Sequence, residues 1–207
     1  MIQQPFDRIV ASLAARTPTP GGGAAAAMAG CMGAALFLMV VRYSRGKKAN
    51  LDRDADLAAA EQRLDAQLQA LLPMAERDCR SFDAVSAAFG MKKDTDDEKA
   101  ARNAAIQQAT VGAMVVPEET LAMCRGVFAT IQPVIGCIGK TIASDLAAGA
   151  SLLRSGAEGA FLNVRINAGS LDDKALAAAT MARADAVLAE VRKAEAAIAA
   201  TVDALLR

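Results

Sequence analysis

The stretch that decides the fold is TPTPGGGAAAAMAGCMGAALFLMVVRYSR, which runs from Thr17 to Arg45. Its two Thr-Pro pairs predict an extended or turned segment, because proline disfavours helical geometry in the residue before it. Three glycines follow, and then 18 residues, Ala24 to Val41, carry no charge. A helix over that run would be about 27 Å long. Its glycine-rich start would leave free backbone N–H groups uncovered, which makes it a candidate site for an anion or a polar ligand.

The uncharged run is also close to the length at which a helix can span a membrane. Its residues are mainly Ala and Gly, and no second span is evident, so we favour a buried central helix over a membrane helix. It ends in Arg-Tyr-Ser-Arg without a small-residue cleavage pattern, which argues against a signal peptide. Ala26, Gly30 and Ala34 recur at four-residue spacing and predict a flat face against which another helix packs closely, in a bundle or a dimer.

The composition favours close-packed helices. Hydrophobic residues make up 54% of the chain and charged residues 22%, and there is no Trp. Strands prefer β-branched and aromatic residues, whereas an alanine-rich sequence favours helices. The 207 residues suffice for one domain with its own core, and we expect residues 1–207 to form it. With 23 basic and 23 acidic residues the net charge is zero, so we expect no nucleic-acid partner.

The cysteines and the missing histidine limit the chemistry. The four cysteines are scattered without a C-x-x-C pair, and since we identify no export signal, we expect reduced thiols and a cytoplasmic protein. The chain has no histidine. Nucleophile systems that depend on histidine and the usual zinc sites are therefore excluded. Acid–base chemistry must use Asp, Glu, Lys, Tyr, Cys or bound water, and we expect no metal.

Helical periodicity covers nearly the whole chain, and no segment alternates as a strand does. It predicts an amphipathic helix over residues 1–15. A second helical region, from Asp52 to about Phe89, should be kinked or divided at Pro73. Thr95 with Glu98 has the spacing of a capping box that opens the next helix.

That next helix should be interrupted before Pro117, because proline lacks a backbone N–H and its ring clashes with the preceding turn. Further helices are predicted from Leu146 to about Asn167 and from Leu171 to the C-terminus. The sequence thus predicts an all-α, single-domain bundle of roughly eight helices around the buried Ala/Gly-rich helix.

Three polar clusters are candidate binding or catalytic groups. The first holds Arg42, Ser44, Arg45, Lys47 and Lys48, the second Asp78, Asp83, Lys92, Lys93 and Arg102, and the third Ser144, Asp145, Asn163 and Asn167. Each also has an ordinary explanation: cations at a helix end, exposed charges on an amphipathic helix, and an N-cap with structural amides. From the residues alone, aspartate is the only credible base, and no substrate is defined.

The motifs TPTPGGG, GKK, SFDAV, FGMKKDTDDEKAAR and LNVRIN, in this order, resemble the cyclodeaminase/cyclohydrolase family. The family comprises the C-terminal domain of formiminotransferase-cyclodeaminase and stand-alone methenyltetrahydrofolate cyclohydrolases. The resemblance extends from about Phe6 to the last helix. It implies an all-α homodimer with the folate site near the dimer interface and no cofactor beyond the folate.

The resemblance also implies roles for particular residues. The catalytic candidates are Asp145, as cation stabiliser and base, with Asp83 and Lys93 to position water or return a proton. The basic residues Arg42, Lys47 and Lys48 would hold the glutamate tail of the folate. The other candidates for substrate binding are Thr19, Pro20, Gly21, Gly22, Gly23, Ser144, Asn163 and Asn167.

On these grounds we expect a methenyltetrahydrofolate cyclohydrolase that acts without a membrane or nucleic-acid partner. The alternative enzyme is a formimidoyltetrahydrofolate cyclodeaminase that releases ammonia. A third hypothesis, a catalytically weak folate-binding dimer, comes from two departures: Arg42 stands where the family usually has Asn, and Thr141 lies in a segment that lacks the family's G-N-x-N run.

Overall fold

The computed structural model describes residues 3–207, and within them helices are the regular secondary structure, joined by turns and irregular segments. Seven α-helices follow one another: α1 (Phe6–Leu13), α2 (Gly22–Ser44), α3 (Asp54–Leu71), α4 (Met74–Phe89), α5 (Asp96–Ile131), α6 (Ala143–Gly169) and α7 (Lys174–Leu206). Three short 3-10 helices, Lys48–Arg53, Gln132–Cys137 and Lys140–Ile142, lie in the connections. The all-α prediction is confirmed, but the predicted number of roughly eight helices is too high for the α-helices described.

The centre of the bundle is the antiparallel pair of α2 and α6. A Cβ atom on Gly22 would lie 3.6 Å from Asn163 Nδ2 near the end of α6, and one on Gly149 would lie 2.8 Å from the Phe37 ring, toward its start. Gly156 faces the α2 backbone, where a Cβ atom would be 2.8 Å from the carbonyl oxygen of Ala26. The small residues thus let two helix backbones approach closely, as the four-residue spacing predicted.

The remaining long helices cover this pair. Helices α5 and α7 pack on α6, and α3, α4 and α5 pack on α2. The larger of two hydrophobic clusters runs through the bundle, and it includes the edge-to-face pair of Phe37 and Phe128, whose ring centroids lie 5.7 Å apart. The buried-helix prediction for Ala24 to Val41 is borne out, since Phe37, Leu38, Val40 and Val41 of this run are in that core.

Two helices are long and apolar enough to cross a membrane by length and composition, namely α2 and the region Asp96–Cys137, so the expectation that no second candidate span exists is wrong. In the 18-residue apolar window of each helix, 56% of the α2 window and 44% of the Asp96–Cys137 window is buried inside the bundle. The core helix of a soluble protein passes the same test, so this finding is weak evidence for a membrane span.

Several local predictions are confirmed. Pro73 separates α3 from α4. The Thr95 hydroxyl accepts a hydrogen bond from the Glu98 N–H, and the Glu98 side chain accepts one from the Thr95 N–H, which completes the capping box at the start of α5. The four cysteines are free thiols.

The first helix is shorter than predicted. Met1 and Ile2 lie outside the described residues, and α1 begins only after Pro5, because the residue before a proline avoids helical geometry. Only Ile9 is buried in it, while Phe6 and Val10 are exposed. The predicted amphipathic pattern is present, but its apolar face is mostly uncovered within one chain.

The prediction that Pro117 interrupts its helix is wrong. Helix α5 continues through this residue as one element from Asp96 to Ile131. Proline has no N–H to donate to the carbonyl four residues earlier, which belongs to Ala113. The side-chain amide of Asn167 on α6 donates to that carbonyl oxygen instead, at 3.1 Å. A tertiary contact thus replaces the missing helical bond, and a local rule could not predict it.

Candidate functional site

A cavity of about 350 Å³ lies at the N-terminus of α2, where the Thr-Pro-Gly segment meets α4, α5 and α6. We refer to it as the glycine pocket. It is lined by Pro18, Thr19, Gly21, Gly22 and Gly23 from the segment and α2, by Asp78, Ser81 and Phe82 from α4, by Ala113 from α5, and by Asn163, Ile166, Asn167 and Ser170 from the end of α6.

The wall formed by α2 is backbone. Gly21 is the N-cap residue of α2 and adopts extended geometry, with no side-chain hydrogen bond to cap the helix. The Thr19–Pro20 peptide bond that leads into it is cis. Gly23 is buried directly against Asp78, and a Cβ atom there would overlap the carboxylate. Glycine is therefore required at this position for Asp78 to approach the helix end.

Asp78 is the acidic side chain of the glycine pocket. Burial raises the pKa of its carboxyl group above the usual value, and the backbone N–H of Ala24, in the first turn of α2, acts in the opposite direction. Asp78 belongs to the second predicted charged cluster, in which Asp83 is the predicted catalytic residue. The available signal was the spacing of Asp78, Ser81 and Phe82, which lie on one face of a helix.

Four other polar side chains of the pocket donate a hydrogen bond to a backbone carbonyl. Asn163 Nδ2 donates to the Gly159 oxygen at 2.9 Å, and Asn167 Nδ2 to the Ala113 oxygen at 3.1 Å. The Ser81 hydroxyl donates to the Asp78 backbone oxygen, and the Ser170 hydroxyl to that of Ile166. Asp78 adds two acceptor oxygens, and each asparagine keeps its Oδ1 acceptor and a second N–H.

The lining of the glycine pocket contains neither Lys nor Arg. Its charge comes from one half-buried carboxylate beside amide and hydroxyl oxygens. These oxygens complement the part of a ligand that carries N–H donors or a positive charge, because buried acceptors are costly when left unpaired. The start of α2, which no side chain caps, adds backbone N–H groups that suit an acceptor atom of the ligand, as the glycine segment predicted.

The predicted site residues fall into separate groups within one chain. Six of the predicted substrate-binding residues line the glycine pocket: Thr19, Gly21, Gly22, Gly23, Asn163 and Asn167. Pro20 is adjacent to them in the chain. The structure thus brings together two segments that are about 140 positions apart in the sequence.

The predicted basic residues lie at the opposite end of α2, about 33 Å away along a 23-residue helix. Arg42 donates to Glu61 at 2.9 Å and to Asp65 at 3.2 Å, and Arg45 also pairs with Glu61, at 2.6 Å. Hydrogen bonds from Arg45 and Arg42 hold the pKa of Glu61 below its usual value.

Lys47 and Lys48 lie just beyond this end of α2. The Lys47 ammonium group is 4.2 Å from the centroid of the Tyr43 ring. Lys48 is exposed and begins the 3-10 helix Lys48–Arg53. In the single chain, these cations do not line the glycine pocket, and their predicted role with a folate tail stays a prediction.

The three predicted catalytic residues also lie outside the glycine pocket of their own chain. Asp145 and Ser144 are in the first turn of α6, whereas Asn163 and Asn167 are near its other end. Asp83 is exposed on α4, and Lys93 is exposed in the loop between α4 and α5. Their catalytic roles stay predictions.

Neither the thiols nor a metal cluster suggests another reactive site among residues 3–207. Burial raises the pKa of Cys31 to about 11 and that of Cys124 to about 12, so both thiols stay protonated near neutral pH. In the same part of the chain, no group of three or more Cys, Asp or Glu side chains is placed to hold a metal ion. The predicted independence from metals and cofactors stays a prediction.

The fold is that of a known class of helical proteins. A solved structure from Thermotoga maritima, described as a formiminotetrahydrofolate cyclodeaminase, superimposes with a TM-score of 0.88. The match covers 100% of this chain and 99% of that one, at 21% sequence identity. At this identity the match establishes the shared fold.

The sequence comparisons establish the family. The family model described as formiminotransferase-cyclodeaminase matches residues 5–186. A methenyltetrahydrofolate cyclohydrolase from Methylorubrum extorquens is 39% identical over 178 residues, which is 86% of each chain. The chain therefore belongs to the formiminotransferase-cyclodeaminase family, as the motifs indicated.

Longer relatives match over a part of their length. Formimidoyltransferase-cyclodeaminases from Sus scrofa and Gallus gallus are 29% and 27% identical over 93% and 98% of this chain. The chain spans 36% and 38% of these two relatives, so it corresponds to about a third of each.

Proposed function

We propose that the chain is a methenyltetrahydrofolate cyclohydrolase and that its substrate binds in the glycine pocket. The similarity to the Methylorubrum extorquens cyclohydrolase supports this reaction, because it covers 86% of both chains. The observation that carries the proposal is the lining of the pocket, which combines a half-buried carboxylate with acceptor oxygens and contains no cationic side chain.

The substrate has the charge that such a pocket complements. Methenyltetrahydrofolate carries a positive charge delocalised over an N–CH–N bridge. Asp78 would stabilise that charge, and the attraction is stronger where the carboxylate is partly removed from water. Hydrolysis adds water to the bridging carbon, and the water loses a proton to a base. The bond from this carbon to one nitrogen then breaks as that nitrogen takes up a proton. The added hydroxyl group loses its remaining proton to solvent and becomes the carbonyl of the formyl group on the other nitrogen.

Asp78 is the group that we assign to the first proton transfer. Its raised pKa makes the carboxylate a stronger base than an exposed aspartate. It can lie against the start of α2 because Gly23 has no side chain there. The protonated carboxyl group can afterwards return that proton to the departing nitrogen, so the cycle needs no additional acid. Asp145, Asp83 and Lys93 remain alternative candidates for these steps.

The proposal is tested by following the loss of methenyltetrahydrofolate absorbance, corrected for spontaneous hydrolysis in a non-amine buffer. Asp78→Asn should lower kcat by at least about tenfold, because the neutral amide neither accepts the proton nor balances the charge. Asp185→Asn is the matched control, since it makes the same change at an exposed position of α7 to which no role is assigned. An Asp78→Asn variant as active as the wild type would remove Asp78 from the mechanism.

The alternative activity is cyclodeamination of formimidoyltetrahydrofolate. It is supported by the family and by the Sus scrofa and Gallus gallus relatives, which match almost the whole chain. In this reaction the second folate nitrogen attacks the formimidoyl carbon and ammonia leaves. Ammonia release from formimidoyltetrahydrofolate, without acceleration of methenyltetrahydrofolate hydrolysis, would favour this activity. A wild-type protein that is silent in both assays but binds tetrahydrofolate would be the catalytically weak folate-binding protein.

We also propose that the chain forms a homodimer through α2. An exposed apolar stripe on this otherwise buried helix includes Met32, Met39 and Tyr43, which are 46%, 36% and 55% exposed. A two-fold axis across the middle of this stripe would place the Arg42 end of one α2 beside the glycine end of the other. Such a dimer supports the proposed roles of the basic residues and Asp145, which lie far from the pocket of their own chain. The proposal further includes a cytoplasmic location and no cofactor beyond the folate.

A further inference from the structure

The proline in the middle of α5 has an effect on the wall of the glycine pocket. Pro117 is buried, and it lacks the N–H that would bond to the Ala113 carbonyl. That carbonyl oxygen instead accepts a hydrogen bond from Asn167 Nδ2 at 3.1 Å. Both Ala113 and Asn167 line the glycine pocket. The missing helical bond is therefore replaced directly at the candidate site.

This hydrogen bond also fixes the oxygen of the same amide. A carboxamide is planar, so fixing Nδ2 determines where Oδ1 lies. In residues 3–207, Asn167 Oδ1 accepts no hydrogen bond, and it is not among the fully buried atoms without a partner. The oxygen is therefore accessible in the pocket wall and available to a donor from a ligand.

A proline at this position has no helix-forming advantage. Alanine is the best helix former and proline the poorest, so Pro117→Ala would by itself strengthen α5. The N–H of the new alanine would then compete with Asn167 for the Ala113 carbonyl. The helix would gain a bond, and the Ala113 oxygen would be shared between two donors, which weakens the bond that determines the orientation of the amide.

We propose that Pro117 is a positioning residue for substrate binding: by leaving the Ala113 carbonyl free, it holds Asn167 so that Oδ1 accepts a hydrogen bond from an N–H group of the folate ring system. The proposal rests on the proposed function, since it takes a reduced folate as the ligand. Pro117 acts through Asn167 and does not itself contact the substrate.

The kinetic test is a double-mutant cycle with Pro117→Ala, Asn167→Ala and the double variant, assayed on methenyltetrahydrofolate. Pro117→Ala should lower kcat/KM by about tenfold, mainly through KM, because a ground-state hydrogen bond is lost. In the Asn167→Ala background the same change should have an effect of less than about twofold, because the residue through which it acts is gone. Pro133→Ala, at the start of the 3-10 helix Gln132–Cys137, is the control for a proline substitution away from the pocket.

Two further measurements separate positioning from a structural role. The thermal midpoint of Pro117→Ala should not fall below that of the wild type. The side-chain amide signal of Asn167 in a ¹H–¹⁵N spectrum should shift in Pro117→Ala and stay unchanged in Pro133→Ala. This spectrum is independent of catalysis.

The proposal is overturned if Pro117→Ala keeps its kcat/KM within about twofold of the wild type, or if it loses activity equally in both backgrounds. An unchanged Asn167 amide signal in Pro117→Ala would overturn it as well. If the wild type accelerates neither folate reaction, the proposed function fails first and this inference fails with it. A failure of the inference alone requires an active wild type.

Discussion

The properties of Asp78 depend on the residues around it more than on its own position in the sequence. Gly23 makes room for its carboxylate, and the surrounding helices withdraw it from water. The desolvation raises its pKa above the usual value of an aspartate. By contrast, Glu61 is paired with two arginines, which lower its pKa. Local environment thus gives two carboxylates opposite shifts in one small protein.

The raised pKa of Asp78 predicts a pH dependence of stability. Between the unfolded-state pKa and the higher folded-state pKa, the folded protein binds more protons than the unfolded chain, so this group makes unfolding easier as the pH rises. Asp78→Asn removes this effect. We expect the variant to have a thermal midpoint about 2 °C above the wild type at pH 7, with a difference that shrinks toward pH 4. Thermal unfolding of both proteins across this range measures it, and a difference independent of pH would contradict it.

At the scale of elements, the contact between α2 and α6 determines how the bundle is built. Gly156 faces backbone atoms of Ala26 and Gly30, at 2.8 Å from where its Cβ atom would be. The spacing of small residues in the sequence predicted a close contact of this kind. It did not identify α6 as the partner, because a flat helix face accepts any helix with a complementary surface.

Gly156→Ala should separate α2 from α6 and lower the free energy of unfolding by roughly 2 kcal/mol, because the new methyl group meets backbone that cannot rotate away. Gly112→Ala is the matched control. It makes the same change in α5, at an exposed position with nothing within 4 Å of the added atom, and it should raise stability by up to about 1 kcal/mol. Urea unfolding of the two variants gives the comparison. Equal effects at both positions would mean that the close contact is not a determinant of stability.

The prediction that Pro117 interrupts its helix was wrong because it considered that helix alone. The rule that proline ends a helix is correct for the helix considered alone. Here Asn167, on a different helix, donates to the carbonyl that the proline leaves free. The continuity of α5 therefore depends on tertiary packing.

For the whole molecule, assembly through α2 would resolve the separation of the predicted site residues. Within one chain the glycine pocket and the basic end of α2 lie about 33 Å apart. An exposed apolar stripe on the central helix is unusual for a monomer, because such a surface is stabilised when another chain covers it. Association of two chains through the stripe would bring the basic end of one α2 near the glycine pocket of the other chain.

A charged residue in the stripe should prevent this assembly. We expect the wild type to sediment with twice the chain mass of 21.3 kDa and Met39→Glu to shift toward the monomer, with a Kd raised at least about tenfold by the buried charge. Ala189→Glu, at an exposed position of α7, is the control and should leave the mass unchanged. Sedimentation velocity measures all three proteins. A monomeric wild type would remove the dimer from the proposal.

The sequence alone determined the helical class, the buried central helix, the capping box at Thr95 and the family, because composition, periodicity and local motifs act over short separations. It also indicated the glycine segment and Asn163 and Asn167. Only the tertiary structure brought these parts into one pocket, placed Asp78 and not Asp83 in its lining, and carried α5 through Pro117. Those outcomes depend on which helix faces which, and the physical reason is that burial, close backbone approach and replacement hydrogen bonds arise between residues distant in the chain.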